Sequence, residues 1–470
     1  MLLISRKIIP AFLTIFFGLL LANNLSAAVL TVTTNGDTED SVCDAHCSLR
    51  EAINFALPGD TIIFARELRG GTIQLTKALL IEKKLIIDGP NKRRITLKGD
   101  NTFRIFHIKV SGTARVVTLD GLIIRDGYEM NGDGGGIYVD PTLASTLNIT
   151  NCAILDNTAQ RGGGIYMYGA GTLYLIDSTV AGNTSMMENS AGGIDVFRST
   201  VRIMNSTISG NKSTSPVDGA GGVRLTASED WFINGSTIAY NSTAGSSPTS
   251  AGGLVALNGI PGPLSNVILA KNTGINPDYY GRSSGARNSF IGITDSASGF
   301  INGVSGNIVG SANNPVDPQL GLLADNGGGL LTHALLPASQ AINAGNNNLS
   351  IDRNGDLRTI DQRGYNRIVN STVDMGSYEF NAAPLITSST VTGQVTTAGG
   401  RGVSGAHIWL RDKSGQTRFA ITNAFGFYRF FNVPANSIYT VKCLDKRNIF
   451  SEQSGLLEES VEYLNFQGVR

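Results

Sequence analysis

One motif returns five times at nearly constant spacing, and it limits what this chain can become. A glycine run followed by an aliphatic residue appears as GGGIYV at Ile137, GGGIYM at Ile165, AGGIDV at Ile194, AGGVRL at Val223 and AGGLVA at Leu254. The intervals are 28, 29, 29 and 31 residues. An alternating β-type run follows each of the first four starts, ending at Ile149, Leu175, Ile203 and Ile233. An aliphatic returns five residues later in all four copies, at Ile154, Val180, Ile208 and Ile238. Three residues beyond stands an asparagine: Asn157, Asn183, Asn211 and Asn241, with a looser fifth copy ending at Asn272.

Each unit therefore holds three short strands and has nothing to bury its aliphatic row against. Stacked copies bury it as a continuous column, which is the logic of a solenoid. With strands ~4.8 Å apart, Ile137, Ile165, Ile194, Val223 and Leu254 would form one ladder. The glycines are expected where the chain turns and a Cβ would clash. The asparagines are expected at the bends, in left-handed geometry, each amide bonding to the next copy. Glycine fills 57 of 470 positions and charged residues only 16%, which disfavours long helices. A leucine-rich repeat is the rival solenoid, but connectors such as KSTSPVDGAGG are poor helix formers. The fold class expected is all-β: a right-handed parallel β-helix over 61–315. Irregular β-rich runs such as LIIDG (85–89) and VVTLDG (116–121) supply its first coils.

The first 28 residues read as a secretory signal peptide. Arg6 and Lys7 precede the apolar run Ile8 to Ala22, and Ser26-Ala27-Ala28 supplies small residues for cleavage. The expected destination is the cell surface or the extracellular space. No later run reaches the ~18 apolar residues of a membrane helix. Acids and bases number 37 each, so nothing draws the chain to nucleic acid or to an anionic membrane.

The stretch TVTTNGDTEDSVCDAHCSLREAINFA (31–56) resembles the CSLREA domain that stands at the start of exported bacterial β-helix proteins. The repeats resemble those of pectin-lyase-like β-helices and polymorphic outer-membrane proteins. DPQLGLLADNGGGLLTHALLPASQAINAGN (317–346), with DQRGYNRIVNSTVDMGSYEF (361–380), resembles the choice-of-anchor Q domain, which implies an extracellular protein. Residues 391–441 resemble the carboxypeptidase regulatory-like domain, a small Ig/transthyretin-like β-sandwich, and their alternating runs fit that reading. The expected organisation is a leader (1–28), an N-terminal helical cap (29–60), the β-helix (61–315), the anchor-Q-like segment (316–382) and the sandwich (383–470).

Cys43 and Cys47 flank His46. In an exported chain a disulfide is the default, and a loop this short contributes about 2 kcal/mol in the entropic model. Zinc would need two more ligands, and a redox pair has two intervening residues where this one has three. Ser48 and Glu51 match a capping box, and Leu49, Ala52, Ile53 and Ala56 give one apolar helical face. Arg50 and Glu51 are then exposed or capping residues on a lid over the solenoid's open end.

Many β-helices cleave polysaccharides, which takes a base with a cation or a carboxylate pair. Asp120, Asp126, Asp133 and Asp140 form the richest acidic stretch. Asp195 with Arg198, Arg202 and Arg224 forms the best mixed group. Both also suit turns and solvated faces. His107, His333 and His407 stand alone. Tyr166, Tyr168 and Tyr174 are candidates for one face. Cys152 replaces the serine of later copies, and Cys443 is expected to be a buried thiol. Arg363 and Arg367 are expected to pair with Asp361, Asp374 or Glu379. No catalytic, metal or cofactor site is expected. The function expected is non-catalytic binding or adhesion at the bacterial envelope, as a monomer, with glycans or envelope proteins as partners. The alternatives are a polysaccharide lyase or glycoside hydrolase, and a purely structural envelope component.

Overall fold

The structure, a computed structural model, describes residues 27–112, 115–140, 144–228, 230–294, 299–384, 388–413, 415–434, 437–457 and 462–469. The leader motif up to Ser26 lies outside these residues.

Short strands separated by tight corners wind into a solenoid of about nine turns. Three long parallel sheets run its length. Sheet A has ten strands, from Val29–Val32 to Gly285–Arg287. Sheet B also has ten, from Thr72–Gln74 to Ile308–Val309. Sheet C has eight, from Leu79–Ile81 to Tyr279–Gly281. A fourth, shorter sheet D, from Tyr128–Asp133 to Ser242–Thr243, closes the coil between B and C. The repeats thus carry a fourth strand that their apolar pattern hides, because that side of the coil places little in the core. The coil also starts earlier than expected: Val29–Val32 pairs with Thr61–Phe64, so the cap contributes the first rung of sheet A.

The aliphatic ladder lies in sheet C. Ile137 pairs with Ile165, Ile165 with Ile194, Ile194 with Val223 and Val223 with Leu254, all fully buried. The glycines serve close approach more than turning. A Cβ on Gly193 would lie 2.5 Å from the Gly222 carbonyl oxygen and 3.1 Å from the Asn211 amide, and Gly164 and Gly222 repeat this. Only without side chains do successive coils stack at this corner.

The asparagines correct the expectation in one respect. The left-handed residue at their corner is the preceding one, such as Asp156 or Tyr240, and Asn157, Asn183, Asn211, Asn241 and Asn272 are buried. Their amides form a ladder. The Asn183 Nδ2 donates to Asn211 Oδ1 at 2.9 Å, Asn211 Nδ2 to Asn241 Oδ1 at 2.9 Å and Asn241 Nδ2 to Asn272 Oδ1 at 2.9 Å. The row ends where Asn272 Nδ2 donates to the Asp278 carboxylate at 2.8 Å. A parallel ladder fills the A–B corner: the backbone N–H of Cys152 donates to Ser178 Oγ, that of Ser178 to Ser206 and that of Ser206 to Ser236, each at 3.1 Å. Cys152 is the first member of this row and is fully buried.

At the N-terminal end, the helix Leu49–Phe55 covers the first rungs with Leu49, Ala52 and Ile53. Ser48 and Glu51 form the capping box: Glu51 N–H donates to Ser48 Oγ at 3.1 Å and Ser48 N–H to Glu51 Oε2 at 2.7 Å. Cys43 and Cys47 are joined by a disulfide. Arg50 departs from expectation. It is 5% exposed, holds Asp37 through two bonds of 2.9 and 2.7 Å and donates to Lys77 O and Ala78 O. It thereby ties the cap to the coil, as a buried arginine bonded to both through four donor hydrogens can.

Residues 316–384 lie along the outer face of sheet B. Thr179, Thr207 and Thr237 point outward from three successive coils and receive them: Gln362 Nε2 donates to Thr179 Oγ1 at 2.9 Å, Thr207 donates to Gln362 Oε1 at 2.6 Å and Ser377 N–H donates to Thr237 Oγ1 at 3.1 Å. Ile268, Phe290, Leu320, Leu335 and Met375 form an apolar layer beneath. The last part, from Ser388, is a two-sheet sandwich with its own core of Val391, Ile408, Leu410, Tyr428 and Val441.

Candidate functional site: a cleft at the A–B corner

The four aspartates of the acidic stretch do not converge. A spacing of six or seven residues along a coil sends them to four different sides. Asp120 ends a strand of sheet A, and Asp126 is a left-handed corner residue after sheet B, 3.2 Å from Arg125. Asp133 ends a strand of sheet D, 2.8 Å from Arg161, and Asp140 follows sheet C, 3.7 Å from His107. Of the mixed group, only Asp195 and Arg224 are neighbours, in register on sheet C. Arg198 turns the corner over Phe197, and Arg202 pairs with Asp230 on sheet A.

Sheet C carries an outward row of His107, Tyr138, Tyr166, Asp195 and Arg224, one per coil. The aromatic rings face one another, not solvent: Tyr138 and Tyr166 stack at 6.0 Å and 15°, and Arg104 and Arg161 lie over them. Burial pushes Asp195 up to about 7 against the pull of Arg224. The row is a packed ladder, closed to a ligand by its own arginines. Tyr168 is in the next row, stacked on Phe197, while Tyr174 is on sheet A beneath Arg353. His333 is buried between Ser209 Oγ and Gly321 O, at 2.8 Å from each. Asn205 and Asn241, which open the Asn-Ser-Thr triplets 205–207 and 241–243, are both buried in the coil.

The open site is elsewhere. A cleft of about 530 Å³ lies between the A–B corner of the early coils and residues 360–364 of the segment packed on sheet B. Its floor includes Ile63, Phe64 and Pro90, and its walls carry Asp88, Lys92, Arg94, Asp120, Asn151 and Asp177. Asp88 and Asp120 pair in register on adjacent rungs, so their backbones are ~4.8 Å apart. Burial, and then the Asp88 charge, push Asp120 up to about 6, and burial also raises Asp88. One buried oxygen of Asp120, Oδ1, has no hydrogen-bond partner among the described residues.

Arg94 fixes the geometry. It is 5% exposed, and burial pulls it down to about 10. Its Nε donates to Asn151 O at 2.8 Å and its Nη1 to Gly328 O at 3.2 Å, joining both walls. Asn151 in turn donates to Asn91 Oδ1 at 2.9 Å. Asp177 is held by Arg358 and by Asn205 Nδ2. At the far rim Arg363 grips Asp361 at 2.6 Å and lies between the Tyr378 and Tyr365 rings, at 3.6 and 4.4 Å. Arg367 lies 3.9 Å from Glu379, so both arginines meet acids named from the sequence.

Asp88, Lys92 and Arg94 were not singled out from sequence. The signal was there in part, since Asp88 in LIIDG occupies the place of Asp120 in TLDG. Among the described residues no group of three or more His, Cys, Asp and Glu is placed to hold a metal ion. Residues 135–309 match the family model for a right handed beta helix region. No curated protein matches the chain. The coiled part of this chain therefore contains a right-handed β-helix region.

Proposed function

We propose that this is an exported bacterial protein that binds glycans at the cell envelope without transforming them. The carrying observation is the cleft. Its two walls come from distant parts of the chain and are pinned together by Arg94, while its rim mixes donors, acceptors and charges over a partly apolar floor. Such a lining suits the alternating hydroxyl and C–H surfaces of a saccharide. The likeness of the cap and the two C-terminal parts to CSLREA, choice-of-anchor Q and carboxypeptidase regulatory-like modules supports an extracellular setting. Envelope proteins are the other partner class that this setting allows. A glycan array probed with the mature chain tests the reading. Binding that falls at least tenfold in Lys92→Gln is expected, and an array that stays blank contradicts it.

One observation favours a second reading. Asp88 and Asp120 stand side by side in a cleft with cations, as a glycan-cleaving enzyme would need. Incubating the bound glycan with the protein separates the two. Release of new reducing ends or unsaturated sugars, abolished by Asp120→Asn, would establish cleavage and overturn the non-catalytic reading.

A further inference from the structure

The C-terminal sandwich exposes an aromatic face that its own packing does not require. In the strand His407–Asp412, Ile408 and Leu410 point inward and are fully buried, so His407, Trp409 and Arg411 point outward. Trp409 has Phe419 as its register partner on one side and Lys442 on the other. His407 is flanked in the same way by Ile421 and Leu444. The Phe419 ring lies 4.8 Å from that of Trp409 and 5.2 Å from that of His407, so the three rings form one continuous surface. Trp409 is 41% exposed and Phe419 46%, whereas Trp231, the other tryptophan, is 2% exposed. A contiguous apolar patch on a flat sheet face marks an interaction surface.

Charge selects the occupant. Arg411 and Lys442 border the rings, and neither forms an ion pair with a described residue. Aromatic faces pack well against the C–H faces of pyranose rings, and paired cations match carboxylates or sulfates on the same polymer. We propose that this face binds an acidic polysaccharide, with sugar rings over Trp409 and Phe419 and anionic groups at Arg411 and Lys442. The site is separate from the cleft at the A–B corner and does not depend on it.

The test uses the full mature chain in affinity electrophoresis through gels containing polygalacturonate, alginate or heparin, with dextran as the neutral control. Retardation by at least one acidic polymer and not by dextran is expected. Trp409→Ala should weaken it at least tenfold, and Arg411→Gln with Lys442→Gln should weaken it and flatten its salt dependence. Because Trp231 is buried, tryptophan fluorescence should change on titration and the change should vanish in Trp409→Ala. If that variant does not fold, the surface pair Arg411→Gln and Lys442→Gln carries the test alone. No retardation by any of the three polymers overturns the proposal. So does retardation that survives these substitutions and falls with Lys92→Gln, which would assign the polymer to the cleft. Concentration-dependent dimerisation or binding to phosphatidylglycerol vesicles that is lost in Trp409→Ala, without polysaccharide binding, also overturns it.

Discussion

The asparagine ladder sets a quantitative test of how the coils are held together. Asn211→Ala removes four hydrogen bonds. The Asn211 Oδ1 accepts from the Asn183 backbone N–H at 3.0 Å and from Asn183 Nδ2 at 2.9 Å. Its Nδ2 donates to Val180 O and to Asn241 Oδ1, both at 2.9 Å. Two partners keep other bonds: Asn183 Nδ2 still reaches Ile154 O and Ala181 O, and Asn241 Oδ1 still accepts the Asn211 N–H. The Asn183 backbone N–H, buried at the corner, loses its acceptor. An orphaned buried group costs ~1–3 kcal/mol and each of the three compensated bonds ~0.5–1.5, so the substitution should destabilise by roughly 2.5–7.5 kcal/mol. Guanidinium unfolding followed by far-ultraviolet circular dichroism measures it, with the slope checked because a solenoid can lose cooperativity. Asn354→Ala, at an exposed position, should stay within ~0.5 kcal/mol. A cost below ~1 kcal/mol for Asn211→Ala would mean that the ladder is ornament on coils held by their aliphatic column alone.

Four other outcomes follow from the same geometry. Gly193→Ala pushes a methyl to 2.5 Å from the Gly222 carbonyl and should cost at least ~2 kcal/mol in the same unfolding assay, because backbone must move. Asp120 sits near 6, above its ordinary value, through burial and then the Asp88 charge. Its contribution to stability is therefore complete below ~pH 4 and lost as the pH rises through its folded value. Asp120→Asn should flatten the stability–pH curve across that window, and an unchanged curve would contradict the assignment. Thiol titration of the unfolded, unreduced protein should find two groups, Cys152 and Cys443, and the native protein none, since both are buried. Cys43→Ser with Cys47→Ser should lower stability by about 2 kcal/mol.

The solenoid was legible because its core repeats. Ile137, Ile165, Ile194, Val223 and Leu254 return at one coil's length, and their pairing follows from that spacing alone. The cap was legible for a local reason, since Ser48 and Glu51 are three residues apart and satisfy each other. What lay beyond the sequence depends on winding and on long-range contact. Asp120, Asp126, Asp133 and Asp140 look like a cluster along the chain, yet the coil distributes them to four sides. Arg50 looked like a surface residue until Asp37 and the 77–78 carbonyls closed around it. The cleft brings Arg94 to Gly328, 234 residues away, and no local pattern announces that meeting. Trp409 shows the limit from another side: alternation in its strand says that it points away from Ile408 and Leu410, but not that this face is left open.

The claim that matters most is that a saccharide occupies the cleft at the A–B corner. Crystals of the mature protein soaked with the glycan that binds best on the array would test it directly. The expected result is a sugar seated between Asp88, Lys92 and Asp120 on one wall and residues 360–364 on the other. Ordered sugar elsewhere on the molecule, with the cleft vacant at saturating glycan, would contradict it.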